Sequence, residues 1–260
     1  MQILLLRSGP AEGWQPLEYL ERALASHAHA AVGVVVESGA HDVAAGKVLV
    51  PDRLVGLPEA LRAPLDERLT HAAESGQTQW LESHGLRIFA VPLALPPRVL
   101  LLGAGPDALP IVDLAARLSW KATVFDHRAA YAQVEHFPQA ERVVLGRAEE
   151  LARTVELSSY DAAVVMSHHL PSDLAYLRGL SASRVGYVGL LGPPARRERL
   201  LSDLGAEATA ALAGRLRAPV GLDLGGRAPE SIALSIVAEI HAHLAGREGG
   251  HFTGAAVPAR

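Results

Sequence analysis

Between Val99 and Ala108 the chain reads Val-Leu-Leu-Leu-Gly-Ala-Gly-Pro-Asp-Ala, and this stretch restricts the fold more than any other. Four consecutive apolar residues ending at a glycine read as a strand buried on both faces, which is the pattern of a parallel sheet. The turn that follows is G-x-G-x-x-A, a variant of the dinucleotide-binding fingerprint. Gly103 permits the tight turn, with Ala104 inside it. Gly105 lets the backbone approach a pyrophosphate, and Ala108 is small enough for helix and strand to pack closely. The N–H groups and positive dipole end of the following helix then face the phosphates. Pro106 suits a first helical position but removes one N–H from that turn. A second strand ends at Asp126, roughly 20 residues beyond Gly103, the spacing of a ribose-binding carboxylate. The competing reading is a strand–turn–helix of the same shape that holds no ligand.

With 260 residues, 49% of them hydrophobic and 20% charged, the chain can bury a substantial core as one large or two modest domains. The formal net charge of −4 argues against a nucleic-acid-binding surface. There are no cysteines, which excludes disulfides, thiolate metal sites and a cysteine nucleophile within these residues and fits a cytoplasmic protein. The apolar runs are far shorter than a membrane span. Met1–Leu6 is apolar but lacks the basic start and the length of a signal peptide.

Residues 1–95 read as a small α/β domain. A helix is expected over Pro16–Ala28, with Leu17, Leu20, Leu24 and Ala28 on one face. Ala31–Glu37 reads as a buried strand, partnered by Gly46–Pro51 across the polar loop 38–42. Pro58–Glu74 repeats leucine at helical spacing, with Pro64 marking a later start or a kink. Gln77–Glu82 and Leu86–Val91 form a hairpin across Ser83-His84-Gly85, and the proline-rich stretch 92–97 is a stiff link.

Residues 96–246 alternate strand and helix signals. Strands are expected at 98–102, 122–126, 142–145, 161–167 and 185–190, with a weaker one at 219–223. The helices between them include Ala108–Leu118, Ser172–Leu180, Pro194–Leu204 and a last long one from Pro229 to Leu244. Right-handed crossovers then give a Rossmann-like doubly wound parallel sheet. The tail, 247–260, has no periodic pattern and is expected to be mobile.

Ligands of open α/β sheets bind outside the carboxyl ends of the strands. Those ends are Gly103–Pro106, Asp126–Arg128, Ser167–His169 and Leu190–Pro193, the last including Gly192. They are far apart in sequence and converge in space. Asp126 can accept hydrogen bonds from a ribose. Arg128 can bind a phosphate and tilt preference toward NADP or a phosphorylated pterin. The plainer alternative is a solvated ion pair at a strand end. Adjacent histidines on a strand point to opposite faces, so one of His168 and His169 faces the crevice; His168 suits a general-base or hydrogen-bonding role, beside Ser167, and metal ligation is not expected. Arg196-Arg197-Glu198-Arg199 reads as a solvated helix face, with phosphate binding at that helix start as a minor alternative. Neither a G-x-S-x-G elbow nor a G-x-x-x-x-G-K-[ST] loop is present.

Taken together, several of these stretches resemble one family. They are Pro97–Gly105, Thr123–Arg128, Ser167-His168-His169 with Asp173, Gly186–Gly192, Ala218–Gly226 and Pro229–Ile240. In order and spacing they are similar to the xanthine dehydrogenase accessory proteins (XdhC/CoxI), over roughly residues 96–245. The resemblance implies a protein that holds molybdenum cofactor (molybdopterin), supports its sulfuration and delivers it to a molybdenum hydroxylase such as xanthine dehydrogenase. The implied partners are that client, a cysteine desulfurase and a second copy of the chain in a homodimer, with no nucleic acid and no membrane. It also implies a cofactor carrier and not a catalyst. An NAD(P)-dependent oxidoreductase using the same crevice, and a scaffolding partner with a decayed site, are the alternatives.

The N-terminal half diverges from that family. Where relatives carry a Gly-Ser-x-Pro-Arg stretch and a Gly-Gly-Cys segment, this chain has Glu37–Asp42 and Val55–Glu59. Pro106 stands where the family has His, and Pro193 where it has Ser. A thiolate contact to molybdenum or sulfur is therefore not expected from this chain.

Overall fold

The computed structural model describes residues 9–251 except 11–13, 15, 40–42, 52, 55 and 56. The expectations for Met1–Leu6, for much of the 38–42 loop, for Val55-Gly56 and for most of the 247–260 tail therefore lie outside the described residues. The chain divides into two compact units between Leu95 and Pro96.

The first unit begins with helix α1 (Leu17–Ser26). Its leucine stripe is not buried as its spacing predicts. Leu17 and Leu24 are exposed, and the buried residue of the helix is Ala23. Strands β1 (Ala31–Ser38), β2 (Val48–Leu49), β3 (Gln79–Ser83) and β4 (Leu86–Pro92) make an antiparallel sheet in the order β2-β1-β4-β3. Helix α2 (Glu59–Ser75) presents Leu61, Leu65, Leu69 and Ala72 to the core they share with β1 and β4. The helix starts five residues before Pro64 and continues through it, so that proline does not set the start.

The second unit carries a six-stranded parallel sheet. Its strands are β5 (Arg98–Leu102), β6 (Lys121–Asp126), β7 (Arg142–Leu145), β8 (Ala162–Val165), β9 (Tyr187–Leu190) and β10 (Leu216–Arg217), in the order β10-β9-β8-β5-β6-β7. Counted from β5, this is the order 3-2-1-4-5-6 of a Rossmann sheet read from its other edge. The helices are α3 (Ala108–Arg117), α4 (Leu151–Thr154), α5 (Leu170–Ser181), α6 (Pro194–Leu204), α7 (Ala206–Leu212) and α8 (Pro229–Leu244).

Alternate residues of the central strands feed two cores, as the pleat requires. Val99, Leu101, Val124 and Val164 pack with α3 and α8. Leu100, Leu102, Phe125 and Val165 pack with α5, α6 and α7. Leu100, Leu101 and Leu102 are completely buried, and each contributes about 1.5–3 kcal/mol by leaving water.

Two expectations are corrected here. The sixth strand is Leu216–Arg217, two residues long, and not 219–223. Pro219 has no N–H to give a ladder, and Gly221 has φ +106°, so the segment keeps one backbone bond to β9, from Val220 N–H to Leu190 O. Nor do His168 and His169 lie on a strand. β8 ends at Val165, His168 has φ +58°, and His169 is the N-cap of α5, so strand alternation does not orient them. Helix α7 has no counterpart among the sequence expectations. Among the described residues no helix is long and apolar enough to cross a membrane.

Candidate functional site

The order of the sheet reverses direction between β5 and β8, since β6 follows β5 on one side while β8 and β9 extend the other. The turns after β5 and β8 leave the sheet at this switch point, where open α/β sheets bind ligands. Gly103 has φ +134°, and a Cβ there would lie 2.6 Å from the backbone of Met166 and Ser167. The two turns therefore pack backbone against backbone, which only glycine allows. Gly105 differs: a Cβ there would meet nothing within 4 Å. Ala108, wholly buried, seats α3 on the sheet.

Asp126, at the end of β6, is completely buried and its carboxylate is fully engaged. Oδ2 accepts from the Ala104 amide at 2.7 Å and from Arg128 Nη2 at 2.7 Å. Oδ1 accepts from the Arg128 amide at 2.8 Å and from Arg128 Nε at 2.9 Å. Burial pushes this carboxyl upward, but the hydrogen bonds from the Arg128 side chain and from the Ala104 and Arg128 amides outweigh it. The net result lies below the ordinary aspartate value. The same pairing holds the Arg128 guanidinium above its ordinary value, and Tyr131 lies under it with its ring centre 3.9 Å from Cζ. The carboxylate of the pair is thus neither solvated nor open, while the Arg128 side chain is 34% exposed.

A second buried ion pair lies on the other side of the switch point. Asp173, in the first turn of α5, is wholly buried. Its Oδ1 accepts from the Ser167 hydroxyl and from the Ser167 amide, and its Oδ2 accepts from Arg196 Nη2 at 2.6 Å. Arg196 leaves the first turn of α6 and runs back over Gly192. Gly192 has φ +134°, and a Cβ there would stand 2.7 Å from Arg196 Cδ. Arg196 is therefore not on a solvated face as its run of charges suggests; its side chain is 17% exposed, while Arg197 and Arg199 point to solvent. Two donors in this layer have no partner among the described residues, Arg196 Nε and the fully buried hydroxyl of Tyr176. Burial, then the nearby Asp126 and Asp173 charges, push the Tyr176 phenol well up, so it stays a neutral donor.

Histidines fill the mouth. His168 Nε2 donates toward Asp107 Oδ2 at 3.3 Å, linking the turn after β8 to the start of α3. His169 Nδ1 and Ser172 Oγ are 2.9 Å apart, Ser172 Oγ and His127 Nδ1 are 3.4 Å apart, and the two rings are tilted with centres 5.5 Å apart. Among the described residues no group of three or more His, Asp or Glu side chains could hold a metal.

The four strand ends expected to converge thus do so on one edge of one sheet. Ala104 meets Asp126, Arg128 meets Asp126, Ser167 meets Asp173, and Gly192 receives Arg196. Pro106 lies in the turn before α3 without an N–H to offer. Residue-by-residue reading missed the roles of Asp173 and Arg196. Their signal was a glycine two residues before a helix whose first turn carries an arginine.

The XdhC Rossmann domain family matches residues 99–240, which contain all four strand ends. A probable xanthine dehydrogenase subunit of Bacillus subtilis (strain 168) is 38% identical over 144 residues. That stretch is 55% of this chain and 42% of the relative, so less than half of the relative's length is matched. A crystal structure of a xanthine dehydrogenase from Bacillus halodurans superposes with a TM-score of 0.54 at 18% identity, covering 90% of this chain and 95% of that one, and shares the fold. With the family match spanning more than half of its residues, and every turn that builds the crevice, the chain belongs to the XdhC Rossmann domain family.

Proposed function

We propose that this protein is an accessory protein that binds molybdenum cofactor in the switch-point crevice and carries it for the maturation of a molybdenum hydroxylase of the xanthine dehydrogenase type. The observation that carries this reading is the family match over residues 99–240, the segment whose strand ends make the crevice. The residues present fit such a group. Gly105 leaves open space beside the turn, and Arg196 Nε and the Tyr176 hydroxyl are donors without partners among the described residues. A molybdopterin offers a phosphate and a pterin amide edge, both matched by nitrogen and oxygen groups of the kind found here. The metal is bound by the cofactor's own sulfurs, so the chain's lack of cysteine is no obstacle to holding it.

In this reading Gly105, His168 and Arg196 line and orient the cofactor, and Asp126, Arg128, Ser167 and Asp173 keep the crevice in shape. The client supplies catalysis, a cysteine desulfurase supplies sulfur, and a homodimer is the expected assembly. A Rossmann strand order also suits NAD(P), which makes a nicotinamide-dependent oxidoreductase the second reading. Acid release from freshly purified protein separates the two. A fluorescent oxidised pterin at one equivalent or less is expected. Release of NAD(P) with no pterin would overturn the carrier reading.

A further inference from the structure

We infer that the crevice binds the anionic, phosphate-bearing end of its ligand at Arg196, between the ends of β8 and β9, and not at the glycine turn after β5. The inference rests on the crevice being a ligand site and says where in it the negative charge goes.

The glycine turn has lost most of what makes such turns bind anions. A turn of this type works by offering several free N–H groups at a helix start. Here the Ala104 N–H is spent on Asp126, and the Ala108 N–H is spent on Gly105 O. Pro106 has no N–H at all. The residue before α3 is Asp107, whose carboxylate would stand beside any phosphate placed there. Arg128 offers less than Arg196, because its Nε and Nη2 are both bonded to Asp126 and its guanidinium lies over the Tyr131 ring.

The opposite side has the complementary features. Arg196 gives one hydrogen bond, from Nη2 to Asp173, and its Nε has no partner among the described residues. A guanidinium carries five N–H donors in a planar fork suited to phosphate, so most of its capacity is unspent. Asp173 is held by the Ser167 hydroxyl and amide and anchors Arg196 from beneath. Gly192 gives the arginine its place, since a side chain there would collide with Cδ. The starts of α5 and α6 each carry a proline in the first turn, and α5 carries Asp173 there, so on this side the arginine and not a helix start supplies the positive charge.

The test uses inorganic pyrophosphate as the probe, with the full chain, in calorimetry at fixed low ionic strength. Saturable binding by the wild type is expected. Arg196→Met alone would leave Asp173 buried and unpaired, so the informative variants are Arg196→Lys and the double variant Asp173→Asn/Arg196→Met, each checked for a retained thermal transition. The double variant should weaken pyrophosphate at least tenfold, Arg196→Lys should weaken it less, and Arg197→Ala, which removes the same charge from the exposed side of α6, should change it less than twofold. Three results would overturn the inference: no saturable binding by the wild type, equal losses in Arg197→Ala and the double variant, or wild-type binding by the double variant. Absence of pterin from the purified protein would sink the carrier reading and leave the pyrophosphate result standing.

Discussion

The amide of Ala104 donates a 2.7 Å hydrogen bond to Oδ2 of Asp126, tying the glycine turn to the end of the next strand. The carboxylate that the fingerprint assigns to a ribose is turned inward. It holds the turn's shape, with Arg128 as its charge partner. This makes the local geometry of the crevice depend on one buried ion pair.

The first prediction follows from that dependence. Asp126→Asn keeps the size of the side chain but presents an NH2 group to N–H donors and leaves Arg128 without its counterion. Removing one member of a buried pair is strongly destabilising, and because Arg128 is one-third exposed the loss belongs at the low end, about 3 kcal/mol. Urea unfolding should show this as a fall in midpoint with an unchanged slope. A loss of affinity for ligand with wild-type stability would instead assign Asp126 to ligand contact.

The same carboxylate predicts a pH dependence. Its folded-state value lies below the ordinary one, about 3.9 for an aspartate in an unfolded chain. The unfolded state therefore binds the proton more readily. The stabilisation is fully present above about pH 5 and is lost as pH falls below about 4 toward the folded-state value. Urea midpoints measured from pH 7 down to pH 3 should fall more steeply for the wild type than for Asp126→Asn. Parallel curves would show that other carboxylates govern the acid limb.

Gly103 and Gly105, two residues apart in the fingerprint, should respond oppositely to substitution. A methyl on Gly103 meets backbone at 2.6 Å in a left-handed conformation, so Gly103→Ala should cost at least about 2 kcal/mol. A methyl on Gly105 meets nothing, so Gly105→Ala should change stability by less than about 1 kcal/mol. Gly105→Val should fold and lose ligand, because it fills the space beside the turn. Thermal melts and binding of the released pterin to each variant check both halves.

The fold was legible in the sequence where packing writes a period. The run Val99–Leu102 had to be buried on both faces, and the helical leucine spacing in α2 matches its buried residues. It was less legible where one residue's backbone decides the outcome. The left-handed turn at His168 and the missing N–H of Pro219 change local direction without altering hydropathy. The site was half legible. Strand ends announce themselves by position, so the sequence places Gly103, Asp126 and Ser167 at the ends of their strands. Which partner each side chain chooses depends on distances between segments far apart in sequence. Asp126 and Ala104 are on neighbouring strands' ends, and Arg196 reaches Asp173 from a different helix. A run of four charged residues reads as solvated until the helix start shows that one of them points inward.

The last prediction concerns sulfur. A cysteine desulfurase transfers sulfane sulfur by attack of an acceptor thiolate on its own persulfide, and a protein acceptor must supply that thiolate from a cysteine. None of the 260 residues is a cysteine. The histidines, serine and arginines of the crevice are hydrogen-bonding groups and none can take the place of a thiolate in that exchange. Incubation of the protein with a cysteine desulfurase and sulfur-labelled cysteine should therefore leave no label on the chain after denaturation and reduction, and its intact mass should be unchanged. In the same mixture, any label that stays with native protein should be released with the small-molecule fraction when the chain is denatured. Stoichiometric label on the polypeptide itself would contradict the prediction and would require an acceptor group that the sequence does not contain.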